Sequence, residues 1–373
     1  MNQDLLQRIC NAPGVSGFED AVQAVISQEL NTCCDEVRTD HLGNVIAVKR
    51  AAERRSAGTR PLRLMLAAHA DEVGVMVKHI NDRGFIHFIQ IGGINPHVAQ
   101  SQRVVIHGLE RVRGVIVPRT VNGDDHAPIK LDDLLIDTGL PKAKLEQLVR
   151  PGDIVSFEGD VSLLNGGMWV GRNFDNRIGS YCMVQAMREV TNTCCDVFAV
   201  SSVQEEVGLR GARPAAFGVA PDIGIAIDGS MARGAYVGEH ANLCDPGKGT
   251  GIYLVDNLTI GHPRLVRYML ELCQKRSIPC QRNIGGGTDA AAIQQSRAGV
   301  IATTIGAPVR YMHSTVQLCH ADDMDATVAL LVGMMETALD FFAGLSPDAL
   351  RHLAENGGHR APQPEAALAA TLR

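Results

Sequence analysis

An α/β fold interrupted by an inserted β domain is the architecture this sequence predicts, and three observations carry the prediction. Helix-like and strand-like segments alternate early in the chain and again after about residue 165, which means a mostly parallel sheet covered by helices on both faces. Over residues 73–164 the alternation stops. Short strands broken by Gly, Pro, Asn and Asp follow one another there, as in a small antiparallel barrel or sandwich. Finally, 373 residues with 45% apolar, 20% charged and 4% aromatic content supply one large or two smaller cores, and exclude disorder or a collagen-like chain. The economical topology is one discontinuous α/β domain, residues 1–72 and 165–345, with a β-barrel-like insert over 73–164 and a loose tail over 346–373.

The elements follow in order. DLLQRICNAPGVSGFEDAVQAVISQEL reads as two amphipathic helices separated by a Pro/Gly/Ser turn, the second beginning near Ser16 and Glu19. VRTDHLGNVIAVKR places a turn at Asp40 to Asn44. LRLMLAAHADEVG opens on an apolar run short enough for a buried central strand, which ends on His69 and Asp71. In the insert, GFIHFIQIGG, QRVVIHG, RVRGVIVP, LLIDTG and GDIVSFEG read as strands. Beyond it, IGSYCMVQAMREV is helical, while DVFAVSSVQEEVG and DIGIAIDGS are strands. HPRLVRYMLELCQKRS is a helix, PCQRNIGGGTDAAAIQQS a strand, loop and helix, VIATTIGAPVRYMHS a strand, and ATVALLVGMMETALDFFAGL the closing helix.

The charge sum of 35 Lys+Arg against 41 Asp+Glu gives −6, interspersed along the chain, so nucleic acid is not an expected partner. No run approaches the roughly 18 consecutive apolar residues of a spanning helix, and MNQDLLQRICN has neither the basic region nor the apolar run of a signal peptide. A cytoplasmic protein with no membrane partner is expected. The ten cysteines are scattered, with Cys33–Cys34 and Cys194–Cys195 adjacent and no CxxC, which predicts reduced thiols.

Five segments place acidic residues or histidine at the end of an apolar run or the start of a helix, where the ligand sites of open α/β sheets gather. In AAHADEVG, His69 and Asp71 share one face of an extended segment, and a carboxylate is a good acceptor for the second N–H of a metal-bound imidazole. Alone, the pair also suits a surface turn. Asp175 in VGRNFDNRIG could equally be a helix N-cap. Glu205 and Glu206 end the run DVFAVSSVQEE, where two ionised carboxylates repel unless a cation or proton compensates. Being consecutive, they point in different directions, so one can bind metal while the other handles protons. Asp228 ends IGIAID and His313 ends PVRYMH; either could be a turn former or a satisfied core group. Two histidines with several carboxylates make a ligand set suited to Zn²⁺, Co²⁺ or Mn²⁺. The loop NIGGGTDA lacks the Lys and Ser/Thr of a phosphate loop, so Gly286, Gly287, Thr288 and Asp289 are read as close approach to a substrate or a neighbouring strand.

Together, HADEVG at 69–74, GRNFDNR at 171–177, QEEVGLRGA at 204–212, AIDGS at 226–230, GGGTDAAAIQ at 285–294 and RYMHS at 310–314 resemble the dinuclear-metal tetrahedral aminopeptidases, whose members are often labelled glutamyl aminopeptidase or endoglucanase. The likeness runs from about residue 3 to 343. It implies a zinc-exopeptidase-like three-layer α/β/α sandwich with an inserted small β-barrel, action on short peptides, and self-association, often as a twelve-subunit tetrahedral shell. It also implies two divalent ions, Zn²⁺, Co²⁺ or Mn²⁺, bridged by Asp175. His69 and Asp228 would complete one site, and Glu206 and His313 the other. Asp71 would orient His69, and Glu205 would act as general base toward a water bridging the metals.

Other functions fit parts of the same pattern. An amidohydrolase removing acyl groups could use the same dinuclear centre, and a silent scaffold could keep the shell without turnover. The full set of seven polar site residues argues against the scaffold. A glycosidase needs no histidine pair, and a single Trp169 offers little for sugar stacking.

Overall fold

The computed structural model describes residues 1–52, 60–118, 129–234 and 244–343, so the tail expected over 346–373 lies outside the described residues. Among them, eight strands form a central sheet in the order Glu36–Thr39, Val45–Lys49, Asp196–Ser202, Arg63–His69, Ile223–Ile227, Ile301–Gly306, Thr250–Val255 and Cys280–Ile284. The middle four run parallel. The flanks depart from the parallel pattern: Val45–Lys49 lies antiparallel to both its neighbours, and Thr250–Val255 antiparallel to Ile301–Gly306. The first pair follows from the turn at Asp40, which is too short for the crossover that parallel strands need. Asp40 accepts the N–H groups of Leu42, Gly43 and Asn44 there.

Side-chain alternation shows why the central strands read as unbroken apolar runs. Leu64, Leu66 and Ala68 join one apolar cluster, and Met65 and Ala67 the other; Val197 and Ala199 divide from Phe198 and Val200 in the same way. The first cluster includes residues of the helices Gln3–Asn11, Asp20–Leu30, Phe174–Glu189, Pro263–Arg276 and Ala321–Thr337. The second takes in Ala212–Val219 and Ala290–Gln294. Both faces are therefore covered, giving three layers.

Between Arg63–His69 and Asp196–Ser202 in the chain, six strands close into a barrel, in the order Gly74–Ile80, Ile86–Ile91, Leu134–Asp137, Arg111–Pro118, Arg103–His107 and Ile154–Phe157. It has its own core, with Val75, Ile86, Val104, Ile106 and Ile136 among its members. Closure leaves its strands without free edges.

A second sheet was not anticipated. Ser162–Leu163, Met168–Gly171, Gln317–His320, Pro308–Arg310 and Ser230–Met231 pair in that order. Strands of two to four residues carry no readable periodicity, and pairing defines them, some of it long-range, as with Gly171 opposite Gln317. All ten cysteines are free thiols. No described helix is long and apolar enough to cross a membrane.

Candidate metal centre

Three chain segments leave the carboxyl ends of adjacent parallel strands and enter one crevice. His69 is the last residue of Arg63–His69, Glu205 and Glu206 lie just beyond Ser202, and Asp228 directly follows Ile227. Asp175 stands in the first turn of Phe174–Glu189 with non-helical backbone angles (φ −81°, ψ 104°), and its peptide bond to Asn176 is cis. His313 comes from the loop between Pro308–Arg310 and Gln317–His320, at φ 58°. That left-handed conformation costs a non-glycine residue roughly 1–2 kcal/mol.

These six residues, from five separate segments of the sequence, converge. Asp175 Oδ1 lies 3.3 Å from His69 Nε2, and its Oδ2 lies 3.3 Å from His313 Nε2. His313 Nε2 is also 3.3 Å from Glu206 Oε2. His69 Nε2 stands 3.9 Å from both Glu205 Oε2 and Asp228 Oδ2. Asp175 therefore faces the two imidazoles with its carboxylate instead of capping its helix.

The donor set fits divalent metal. Ligand atoms about 2.0–2.1 Å from one tetrahedral ion stand roughly 3.3–3.4 Å apart, which is the spacing around Asp175. Donor atoms of His69, Asp175 and Glu206, and of His69, Glu205 and Asp228, lie within 4.8 Å of one another in each group. Four carboxylates face two imidazoles, and no Lys or Arg is among the described residues lining this cavity. Such an excess of buried negative charge calls for a cation.

Left to the protein's own charges, the cluster holds protons. Burial, followed by Asp175, pushes Glu206 up to about 8. Burial also holds Glu205 and Asp228 well above the carboxylate range, although His69 pulls both down. The Asp175 hydrogen bond raises His313 to about 9 against the effect of its burial. Burial opposes charge on His69, but Glu205, Asp175, Asp71 and Asp228 outweigh it and raise its pKa. Asp175 alone among the proposed ligands moves down, because hydrogen bonds from His313 and His69 overcome its burial.

Asp71 sits beneath the cluster. Its Oδ2 accepts the Ser16 hydroxyl at 2.7 Å and the Glu206 N–H at 3.1 Å, and its Oδ1 accepts the Glu205 N–H at 3.0 Å while lying 3.4 Å from His69 Nδ1. One carboxylate thus holds the N–H groups of both glutamates, while His69 Nδ1 lies nearer to the Asp71 backbone carbonyl, at 3.2 Å. Of the glycine-rich loop, Gly286, Gly287 and Thr288 line the cavity. Asp289 is not among the lining residues; its Oδ2 accepts the buried Ser202 hydroxyl at 2.5 Å.

Several supports escaped sequence reading. Gln317, 1% exposed, accepts the Asp175 N–H at 2.7 Å and donates to the carbonyls of Arg172 and Ser314, tying the Asp175 and His313 segments together. Glu19 accepts the N–H of Gln204 at 3.0 Å. Glu72 is buried between Arg172, Asn173 and Arg177, at 3.0, 3.0 and 3.3 Å. Glu72 lies inside HADEVG and both arginines inside GRNFDNR, so the charges were visible; their pairing across a hundred residues was not. Glu72→Ala is expected to destabilise the fold by about 3–5 kcal/mol, because two arginines are left buried and unpaired. Urea unfolding measures this, and a loss under about 1 kcal/mol would contradict it.

Comparison with known proteins adds the decisive observation: the family model for M42 glutamyl aminopeptidase matches residues 43–330. The chain belongs to the M42 family. This M42 chain is 35% identical over 350 residues to lysyl aminopeptidase of Pyrococcus furiosus, covering 89% of the chain and 96% of the relative. Its fold superposes on an aminopeptidase from the archaeon Desulfurococcus kamchatkensis with a TM-score of 0.85 and 32% identity, over 89% of this chain and 94% of the other. A TM-score of 0.79 and 29% identity relate it to Pyrococcus horikoshii TET1 peptidase, over 89% and 98% of the two chains; that peptidase can assemble into a tetrahedron or a large octahedral shell. Membership makes the M42 chain a hydrolase of the aminopeptidase class.

Proposed function

We propose that this protein removes the N-terminal residue of short peptides with two divalent cations as cofactors and Glu205 as general base. The observation that carries the reading is Asp175, whose two carboxylate oxygens each stand 3.3 Å from a different imidazole. A carboxylate so placed suits two ions that share it. His69 and Asp228 would complete one ligand set, and Glu206 and His313 the other. Two imidazoles and three carboxylates suit Zn²⁺, Co²⁺ or Mn²⁺. When bound, such ions polarise the scissile carbonyl and acidify water.

The remaining work falls to the chain itself. With His69, Asp228, Glu206, His313 and the shared Asp175 assigned to the ions, the Glu205 carboxylate in the same cavity would take a proton from the attacking water and return it to the leaving amine nitrogen. Asp71 holds the Glu205 backbone through its N–H and fixes the base in place.

Self-association into a closed shell, in the tetrahedral manner, is supported by the likeness to TET1 peptidase. The ten free thiols support a reducing compartment, the cytoplasm. The activity is tested by giving metal-reconstituted protein aminoacyl anilides, the same anilides N-acetylated, and a soluble glucan. Only the unblocked anilides are expected to be cleaved. Equal hydrolysis of the acetylated series would point to a deacylase, and cleavage of the glucan alone would overturn the peptidase reading.

A further inference from the structure

We infer that the cavity beside the metal ligands selects peptides whose N-terminal side chain is uncharged and aliphatic, such as Leu or Met, over Lys or Glu. The inference rests on the peptidase reading above and names its substrate class. The cavity measures about 510 Å³, and apart from the polar cluster its wall is built by Leu209, Met231, Tyr253, Leu258 and Met312. Tyr253 donates its hydroxyl to the Gly229 carbonyl at 2.7 Å, so its polar tip is engaged within the protein and is not offered to a ligand.

The glycine-rich loop runs along this wall. A Cβ on Gly285 would stand 3.5 Å from Met231 Sδ, one on Gly286 3.9 Å from the Tyr253 hydroxyl, and one on Gly287 3.2 Å from Leu258 Cδ1. Gly286 is also at φ +88°, which other residues rarely adopt. Bare backbone at these positions leaves room for a substrate side chain against the apolar wall.

Charged partners for that side chain are missing among the described lining residues once the metal ligands and Glu205 are set aside. The arginines next to the wall in sequence are engaged elsewhere: Arg210 Nη1 donates to Gln204 Oε1 at 3.4 Å, Arg310 Nε donates to the Arg233 carbonyl at 2.6 Å, and Arg233 lies 3.7 Å from Asp245. A Lys or Glu side chain entering here loses water without gaining a counter-charge. A Leu or Met side chain leaves water for an apolar surface, and the two flexible thioethers of Met231 and Met312 adapt to its shape.

The test is calorimetric titration of the metal-reconstituted protein with the hydroxamates of L-leucine, L-methionine, L-lysine and L-glutamate. The first two are expected to bind about tenfold or more tighter than the last two. Lysine or glutamate hydroxamate binding as tightly as leucine's overturns the inference. Met231→Glu, at a position 39% exposed and outside the ligand set, is expected to shift the lysine-to-leucine affinity ratio by about tenfold toward lysine with metal content unchanged. An unchanged ratio would show that this wall does not read the side chain. Hydroxamate binding needs no turnover, so the two readings fail separately. Ordered binding without anilide cleavage removes the peptidase reading and keeps the pocket; cleavage with the reverse order does the opposite.

Discussion

Glu205→Gln is expected to lower kcat on an unblocked aminoacyl anilide by about 10²–10⁴-fold, the usual contribution of a positioned general base. Gln keeps the shape of the side chain and cannot accept the proton. Metal content should stay at the wild-type value, since Glu205 lies outside the two ligand sets assigned to His69, Asp228, Glu206, His313 and the shared Asp175. KM should move little, because the proton passes only during reaction. The measurement pairs steady-state kinetics with metal analysis of the same sample. If kcat fell by less than about tenfold, another group would have to serve as the base. If the metals were lost along with activity, Glu205 would be a ligand and the division of labour between the paired glutamates would be wrong.

Asp175→Asn should be still more severe, because one substitution weakens both cation sites. The wild type is expected to take up two ions per chain and the variant at most one, with activity reduced by about 10³-fold or more. Calorimetric titration with Zn²⁺ reads the stoichiometry. The pH dependence has a definite sign. Glu206 is raised to about 8 and His313 to about 9, so at lower pH both carry protons that compete with the cation. Metal uptake in the wild type should therefore release protons, and apparent affinity should fall as pH drops through 9 and then 8. Two ions bound to Asp175→Asn with undiminished affinity would remove the bridging role on which the dinuclear reading stands.

Much of the centre was readable because its chemistry breaks a local pattern. A central strand is apolar by necessity, so Glu205–Glu206 or Asp228 at its end stands out against the run before it. The supports do not stand out. Gln317 follows a surface-like stretch, and nothing in VQLC signals that its amide reaches the Asp175 N–H. Asp289 illustrates the limit: its glycine-rich loop suits close approach to a substrate or to a neighbouring strand, and its carboxylate engages Ser202 at the end of the strand Asp196–Ser202. A loop sequence specifies that a chain can bend, but not which way the bent residue turns.

By itself the amino-acid order marked the longer strands and helices, the change to short strands after His69, and the side chains that are candidates for metal chemistry; it did not mark the strand Thr250–Val255 or the helix Ala212–Val219. These properties are local, set by the alternation of apolar and polar residues over a few positions. Tertiary structure alone decided the antiparallel placement of Val45–Lys49 beside Asp196–Ser202 and of Thr250–Val255 beside Ile301–Gly306, the pairing of Met168–Gly171 with Gln317–His320, the burial of Glu72 between two arginines, and the 3.3 Å spacing of Asp175 from both imidazoles. Each of these joins residues many positions apart. Their energies come from desolvation and pairing that exist only after the chain has closed, so no window of sequence contains them.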